Sequence, residues 1–230
     1  MPGIRSAGSS ASEIELPAAL AQWRALDTFA TVTDVGANEG QTALRFARLF
    51  PNATIYSLEP DPKAFEALLR HTGGDPRLRC FQIALGERDG ELDLNINQAS
   101  VTNSFLTRAP QAEGKYYYDM MRPVRTEKVC SMTLLRFCRE HDIAYADLLK
   151  LDTQGFEDRI LRGGGEWLHP DRVGSIFLEV LFAKIYEGQA EFDVVYKLLR
   201  ERGYKIHSFH DIQQSPPTGL LWADALFVKA

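Results

Sequence analysis

Short apolar runs alternate with amphipathic stretches along most of this chain. Apolar runs bounded by polar or glycine residues predict buried strands, and apolar positions repeating at i, i+3, i+4 and i+7 predict helices that cover a sheet. We therefore expect strands over residues 30–35, 54–58, 78–84, 147–151 and 175–181. We expect helices over residues 15–26, 41–50, 133–140, 156–162 and 190–202, and another that begins at Pro62 behind an Asp61 cap. Alternating strands and helices predict an α/β fold, with a mostly parallel sheet and helices on both faces.

Three further segments add to this alternation. Residues 91–96 and 124–132 alternate polar and apolar positions, which predicts an inserted strand pair. Residues 97–122, between them, are polar and aromatic and too numerous for an ordinary connection, so we expect a functional loop or lid. Residues 204–209 and 220–228 predict a terminal strand pair.

The N-terminus and the cysteines bear on domain organisation and location. Residues 1–13 are rich in glycine, serine and alanine and lack the apolar segment of a signal peptide, so we expect a disordered tail. Residues 14–230 are then expected to form a single domain, with an insertion at about 91–132. No apolar run is long enough to predict a membrane span. The three cysteines lack C-x-x-C spacing and are expected to be reduced thiols, which fits the cytoplasm.

The overall charge of the chain argues against one class of binding partner. The formal net charge is −5, and no long basic cluster is present. Because nucleic acids bind positively charged surfaces, we expect no nucleic-acid partner. A small molecule or a glycan is the expected partner, and a homo-oligomer is left open.

The stretch from Asp34 to Gly40 reads D-V-G-A-N-E-G and joins the first predicted strand to a predicted helix. Such a turn is typical of cofactor binding, because Gly36 lets the backbone approach a ligand and the helix start offers N–H groups. Glu59 ends the second predicted strand, where it can accept hydrogen bonds from a ribose diol. The middle position of the dinucleotide fingerprint is Asn38 instead of glycine, and Asp34 would repel phosphate but could take an ammonium group. The turn therefore favours S-adenosyl-L-methionine (SAM) over a dinucleotide; a tight turn without a ligand is the remaining alternative.

Six sequence blocks fall in register with a known family. They read DVGANEGQTALRFARLFP, SLEPDPKAFEALL, ALGERDGELDL, LLKLDTQGFEDRILRGG, LEVLFAKIYEGQ and ADALFVK. Together they resemble the FkbM family of SAM-dependent methyltransferases, from about Thr31 to Lys229. The resemblance implies a Rossmann-like class I methyltransferase fold with a seven-stranded, mostly parallel sheet. It also implies O-methylation of hydroxyls on sugars, glycolipids or polyketide-type products.

The expected cofactor contacts lie at strand ends and in the inserted segment. They are Asp34, Gly36, Ala37, Asn38, Gly40, Glu59, Pro60, Gln82, Ala84, Leu85, Ser104 and Asp152. The first five should hold the methionine portion of SAM, and Glu59 the ribose. Gln82, Ala84 and Leu85 should flank the adenine, although Leu85 is as well explained by a core position.

Catalysis of methyl transfer requires mainly alignment, which supplies on the order of 7–11 kcal/mol where it is good. A base helps an alcohol nucleophile by roughly 10²–10⁴-fold. Asp152 could be that base, could orient the SAM amino group, or could only cap the following helix. His210 is a second candidate base, and the absence of a dedicated base is a third alternative. His207 and His210 lack a firm third ligand, so we expect no metal.

Four residues are expected to contact the acceptor: Tyr117, Gln154, Glu179 and Tyr186. Tyr117 belongs to a run of three tyrosines whose ring faces suit sugars or flat natural products, unless the loop is simply packed. Glu179 could bind substrate hydroxyls or form a structural ion pair.

Two other functions compete with O-methylation. Methyltransferases that act on the nitrogens of bases usually carry an N/D-P-P-Y block where this chain reads Asp152-Thr153-Gln154-Gly155, without proline. Transfer to a protein or other nitrogen acceptor is the first alternative. The second is a non-catalytic SAM-binding partner in a biosynthetic complex.

Overall fold

The computed structural model of the chain describes residues 11–110, 119–215 and 219–230. The helices are α1 to α6, in chain order Ala11–Trp23, Gln41–Leu49, Pro62–Thr72, Leu134–Glu140, Glu157–Gly163 and Phe192–Glu201. The strands are β1 to β10, in chain order Thr31–Val35, Thr54–Leu58, Leu78–Phe81, Ala84–Gly86, Gly90–Asn97, Pro123–Thr133, Ala146–Leu151, Val173–Leu181, Tyr204–Ser215 and Gly219–Lys229. Short 3-10 turns lie at Leu26–Thr28, Ser100–Thr102 and Gly165–Trp167.

Seven strands form the main sheet, in the order β3-β2-β1-β7-β8-β10-β9. The pairs on the β3 side, from β3 across to β8, are parallel, and β10 runs antiparallel to both β8 and β9. The chain moves outward from β1 to β3 and later returns to place β7 on the other side of β1. The order of the strands therefore reverses between β1 and β7, and in α/β sheets ligands bind at the carboxyl ends beside such a reversal.

Hydrophobic patterning explains why helices cover this sheet on both sides. Alternate residues of the central strands enter different cores, as Leu148 and Leu149 of β7 do. In α2 the buried residues are Ala43, Phe46 and Ala47, which share one face of the helix. Asp61 caps α3 by accepting a hydrogen bond from the Lys63 backbone N–H at 3.1 Å, and Pro62 follows at the first helical position. The predicted α/β class, the seven-stranded sheet and the inserted strand pair are confirmed.

The third predicted strand, over residues 78–84, is wrong at its end. It stops at Phe81, and Ala84–Gly86 forms a separate strand, β4. The reason is pairing: β4 lies parallel to β6 in a second, three-stranded sheet of order β4-β6-β5. The inserted strand pair is therefore β5–β6 with β4 added at its edge.

The structure also differs from the expectations at both ends of the chain and in the expected lid. α1 begins at Ala11, inside the stretch expected to be tail, and ends at Trp23, before the predicted Leu26. The terminal strands β9 and β10 extend beyond the predicted ranges. The described part of the expected lid packs closely, since Thr102 and Ser104 are buried and Asn95 forms a bridge with Ser104. Tyr117 and its neighbouring tyrosines lie outside the described residues.

Across the described ranges, the helices fall short of the length and apolarity that crossing a membrane requires.

Candidate functional site

The glycine turn after β1 folds back onto the end of β2. The backbone N–H groups of Gly36 and Ala37 both donate to the Leu58 carbonyl at 3.0 Å. Gly36 has φ +76°, and a Cβ placed there would lie 1.9 Å from the Asp152 carbonyl oxygen. A residue without a Cβ is therefore needed, because the turn touches the backbone at the end of β7.

Glu59, at the end of β2, is tied to this turn. One of its carboxylate oxygens accepts the Asn38 backbone N–H at 2.8 Å, and the other accepts the Asp61 N–H at 2.9 Å. Burial raises the pKa of Glu59 to about 7, while these two N–H donors act to lower it. Each oxygen keeps a lone pair that a diol could use.

A cleft that opens to solvent lies at these strand ends. Predicted site residues that line it are Gly36, Asn38, Glu59, Pro60, Ala84, Leu85, Asp152 and Gln154. Other lining residues include the apolar Val35, Leu58, Ile83, Leu94, Val101 and Phe105. Polar and apolar groups thus line the cleft together.

A polar network joins the ends of β7 and β8 beside the cleft. The Gln154 amide nitrogen donates to Asp152 at 3.0 Å and approaches the Glu179 carboxylate at 3.4 Å. The Tyr186 hydroxyl donates to the Gln154 amide oxygen at 2.8 Å. Burial raises the pKa of Glu179 well above its ordinary value, and the charges of Asp152 and Glu157 raise it further.

Several predicted residues lie outside the cleft lining. Asp34 is fully buried beneath the turn, with its carboxylate 2.9 Å from the Lys150 ammonium. Ala37 packs against Ala43 and Leu68, and Gly40 caps α2 at φ +95°.

Two further residues that were expected to contact the cofactor, Gln82 and Ser104, also lie outside the cleft lining. Gln82 is exposed, and the neighbouring Ile83 lines the cleft in its place. Ser104 is buried and donates to the Gln154 carbonyl at 2.8 Å, so it supports a cleft residue.

His210 is not at the cleft. It lies on β9, opposite Asp224 of β10, and its ring is 2.8 Å from the Ser208 hydroxyl. In the sheet, β9 is three strands away from β7, which leads to Asp152. Neighbouring strands are about 4.8 Å apart, so this distance is roughly 14 Å. The expectation of His210 as a base beside the cofactor therefore does not match its position.

The sequence analysis missed Lys150. It stands in β7 and is buried, which is unusual for a lysine without a charged partner. Its ammonium contacts Asp34 and donates to the Gly36 carbonyl at 3.1 Å. A lysine inside the run D-L-L-K-L-D was the signal that could have identified it.

The residues present fit SAM. The Asn38 side-chain oxygen is buried and has no hydrogen-bond partner within the described part of the chain, so it can serve a ligand donor. Glu59 offers acceptors for a diol, and the apolar lining residues suit a flat purine ring. Across residues 11–110, 119–215 and 219–230, no group of three His, Cys, Asp or Glu side chains is arranged to hold a metal.

Fold and cleft together define a class I SAM-dependent methyltransferase. The structure overlays on the fibrillarin of Aeropyrum pernix with natively bound SAM, at a TM-score of 0.50 and 14% identity, covering 99% of this chain and 85% of that one. A family profile described as the methyltransferase FkbM domain matches residues 34–206. The chain belongs to the FkbM methyltransferase family, and its cofactor is SAM.

Two curated relatives are also methyltransferases by name. The chain is 29% identical over 172 residues to the 2-O-methyltransferase NoeI of Sinorhizobium fredii, covering 73% of this chain and 70% of the relative. It is 25% identical over 185 residues to Methyltransferase 1 of Beauveria bassiana, covering 76% and 72%.

Proposed function

We propose that this methyltransferase transfers the methyl group to a hydroxyl of a glycan, glycolipid or polyketide-type small molecule. The observation that carries the proposal is the network of Asp152, Gln154, Glu179 and Tyr186 at the ends of β7 and β8. It combines carboxylate acceptors with amide and phenol groups, which is the chemistry that hydroxyl-rich acceptors need. The printed name of NoeI, a 2-O-methyltransferase, supports the same reaction.

The roles follow from position. Gly36, Asn38 and Glu59 bind the cofactor, and Ile83, Leu85 and Phe105 exclude water from its ring. When bound, SAM supplies a methyl group that is already activated by its sulfonium. Gln154, whose amide oxygen accepts the hydrogen bond of the buried Tyr186 hydroxyl, orients the acceptor, so that alignment provides most of the rate acceleration.

Glu179 is the group to which we assign the hydroxyl proton. The Gln154 amide nitrogen lies 3.4 Å from the Glu179 carboxylate and also donates to Asp152 at 3.0 Å. Burial and neighbouring carboxylates raise the pKa of Glu179, which makes its ionised form a stronger base than an ordinary carboxylate. His210 is too far along the sheet for this role.

The test uses SAM with a labelled methyl group and a panel of acceptors. The panel contains oligosaccharides, a glycolipid, a polyhydroxylated aromatic polyketide and an amine analogue of each. Mass spectrometry detects the labelled product, and NMR distinguishes O-methyl from N-methyl groups. Transfer to hydroxyls supports the proposal. Transfer to amines alone would identify a nitrogen methyltransferase, and SAM binding without turnover on any acceptor would favour a non-catalytic partner.

Glu179→Gln tests the assignment of the base. We expect kcat to fall by roughly 10²–10⁴-fold, with SAM affinity unchanged. Glu166→Gln, which changes a 77% exposed carboxylate, is the matched control. An unchanged kcat in Glu179→Gln would remove Glu179 from the mechanism without affecting the O-methylation proposal.

A further inference from the structure

Lys150 connects the two chain segments that face the cofactor. Its ammonium is 2.9 Å from an Asp34 carboxylate oxygen, 3.1 Å from the Gly36 carbonyl oxygen and 3.7 Å from an Asp152 carboxylate oxygen. Asp34 and Gly36 belong to the glycine turn and Asp152 to the end of β7. One buried cation thus contacts both sides of the reversal in strand order.

The strand register explains how this contact arises. Lys150 lies directly beside Asp34 where β7 pairs with β1. Two residues further on, Asp152 points to the same face of the sheet, because side chains alternate along a strand. The Gly36 turn also approaches the Asp152 carbonyl closely. The turn and the strand end are therefore held at one distance by a backbone contact and by Lys150.

The two carboxylates around Lys150 differ in what they can bind. Asp34 is fully buried and lies outside the set of residues that line the cleft. The Asp152 side chain is 48% exposed, lines the cleft and is further from the ammonium. A buried carboxylate with an ammonium at 2.9 Å gains little from a second cation, whereas Asp152 still has solvent-facing lone pairs.

We propose that Lys150 is a positioning residue that takes Asp34 as its permanent counter-ion and fixes the Asp152 carboxylate and the Gly36 carbonyl in the cleft. Asp152, and not Asp34, then receives the ammonium group of the methionine portion of SAM. This inference depends on the cofactor alone and not on the nature of the acceptor.

The test compares two ligands by calorimetry. S-adenosylhomocysteine carries the amino-acid portion, whereas 5′-methylthioadenosine shares its adenine, ribose and thioether but lacks that portion. In Asp152→Asn we expect S-adenosylhomocysteine to bind roughly tenfold or more weakly, the loss expected for a charge-assisted hydrogen bond. Affinity for 5′-methylthioadenosine should stay within about twofold, since no contact to the shared portion is removed.

The Lys150→Met variant distinguishes Asp152 from Asp34 as the ligand of the cofactor's ammonium group. This variant removes the partner of Asp34, so if Asp34 were the true ammonium ligand, S-adenosylhomocysteine would bind as well as before or better. The proposal predicts the opposite, a selective loss for S-adenosylhomocysteine. Adding Asp152→Asn to Lys150→Met should add little further loss, because both changes act through the same carboxylate.

Lys128→Met is the matched control. Lys128 forms an exposed ion pair with Asp93 at 3.0 Å on the inserted sheet, and its loss should change neither affinity. Equal losses of both ligands in Lys150→Met would reduce Lys150 to a purely structural role and overturn the proposal. If Lys150→Met fails to fold, the Asp152→Asn comparison decides: an unchanged affinity for S-adenosylhomocysteine refutes the assignment.

Discussion

Gly36→Ala should disrupt both the fold and the cofactor site, because Gly36 is in direct backbone contact with the end of β7. An added Cβ would be 1.9 Å from the Asp152 carbonyl oxygen, so that carbonyl would have to move by at least about 1 Å. The same movement strains the hydrogen bond from the Asp152 N–H to the Val35 carbonyl, now 3.1 Å long.

The expected loss in the free energy of unfolding of Gly36→Ala has three contributions. An alanine at a positive φ costs about 1–2 kcal/mol, a weakened hydrogen bond about 0.5–1.5 kcal/mol, and forced movement of packed backbone about 1–3 kcal/mol. Together they predict a loss of roughly 3–6 kcal/mol in the free energy of unfolding. Gly188→Ala is the matched control, since Gly188 has φ +73° and its added Cβ would meet only the Arg159 guanidinium, at an ordinary 3.6 Å.

Thermal unfolding with and without S-adenosylhomocysteine measures both effects. For a chain of this size, at about 2–4 °C per kcal/mol, we expect Tm to fall by about 2–8 °C in Gly188→Ala and by about 6–24 °C in Gly36→Ala. The ligand should raise the Tm of the wild type and of Gly188→Ala, but not that of Gly36→Ala. Equal Tm losses and equal ligand responses in the two variants would show that the close approach at Gly36 has no consequence.

Three further predictions concern Glu59, Glu157 and the dependence of activity on metal ions. Glu59→Ala should weaken S-adenosylhomocysteine binding in calorimetry by about 1.5–3 kcal/mol for each ribose hydrogen bond lost; equal affinities would remove Glu59 from the ribose site. Burial raises the pKa of Glu157 from 4.5 to about 7, so its contribution to stability is full below pH 4.5 and is lost as the pH rises through 7, by about 3 kcal/mol. Glu157→Gln keeps an oxygen for the Thr153 hydrogen bonds, and denaturant unfolding at pH 5 and pH 8 should show a smaller decline than in the wild type; parallel declines would contradict this. Methyl transfer should survive EDTA, since the described residues form no metal-ligand cluster; loss of activity that magnesium restores would refute this.

Local chemistry made much of the site predictable from the chain alone. A glycine-rich turn after an apolar run needs positive φ angles, and the structure has Gly36 and Gly40 at +76° and +95°. Glu59 ends a strand and is followed by a proline and a helix cap, so its place at the rim follows from local pattern. The strands and helices were also predictable in type, because their apolar periodicity is contained within each segment.

Tertiary structure decided what depends on pairing between distant segments. Residues 78–84 look like one strand, but Ala84–Gly86 leaves the main sheet because it pairs with β6, about fifty residues later. His210 is a candidate base by residue type, yet the strand order places it on β9, beyond β10. Lys150 and Asp34 are 116 positions apart in the chain and become an ion pair only through the register of β1 with β7. A single sequence contains the charge of each partner, but the distance between them is set by the sheet.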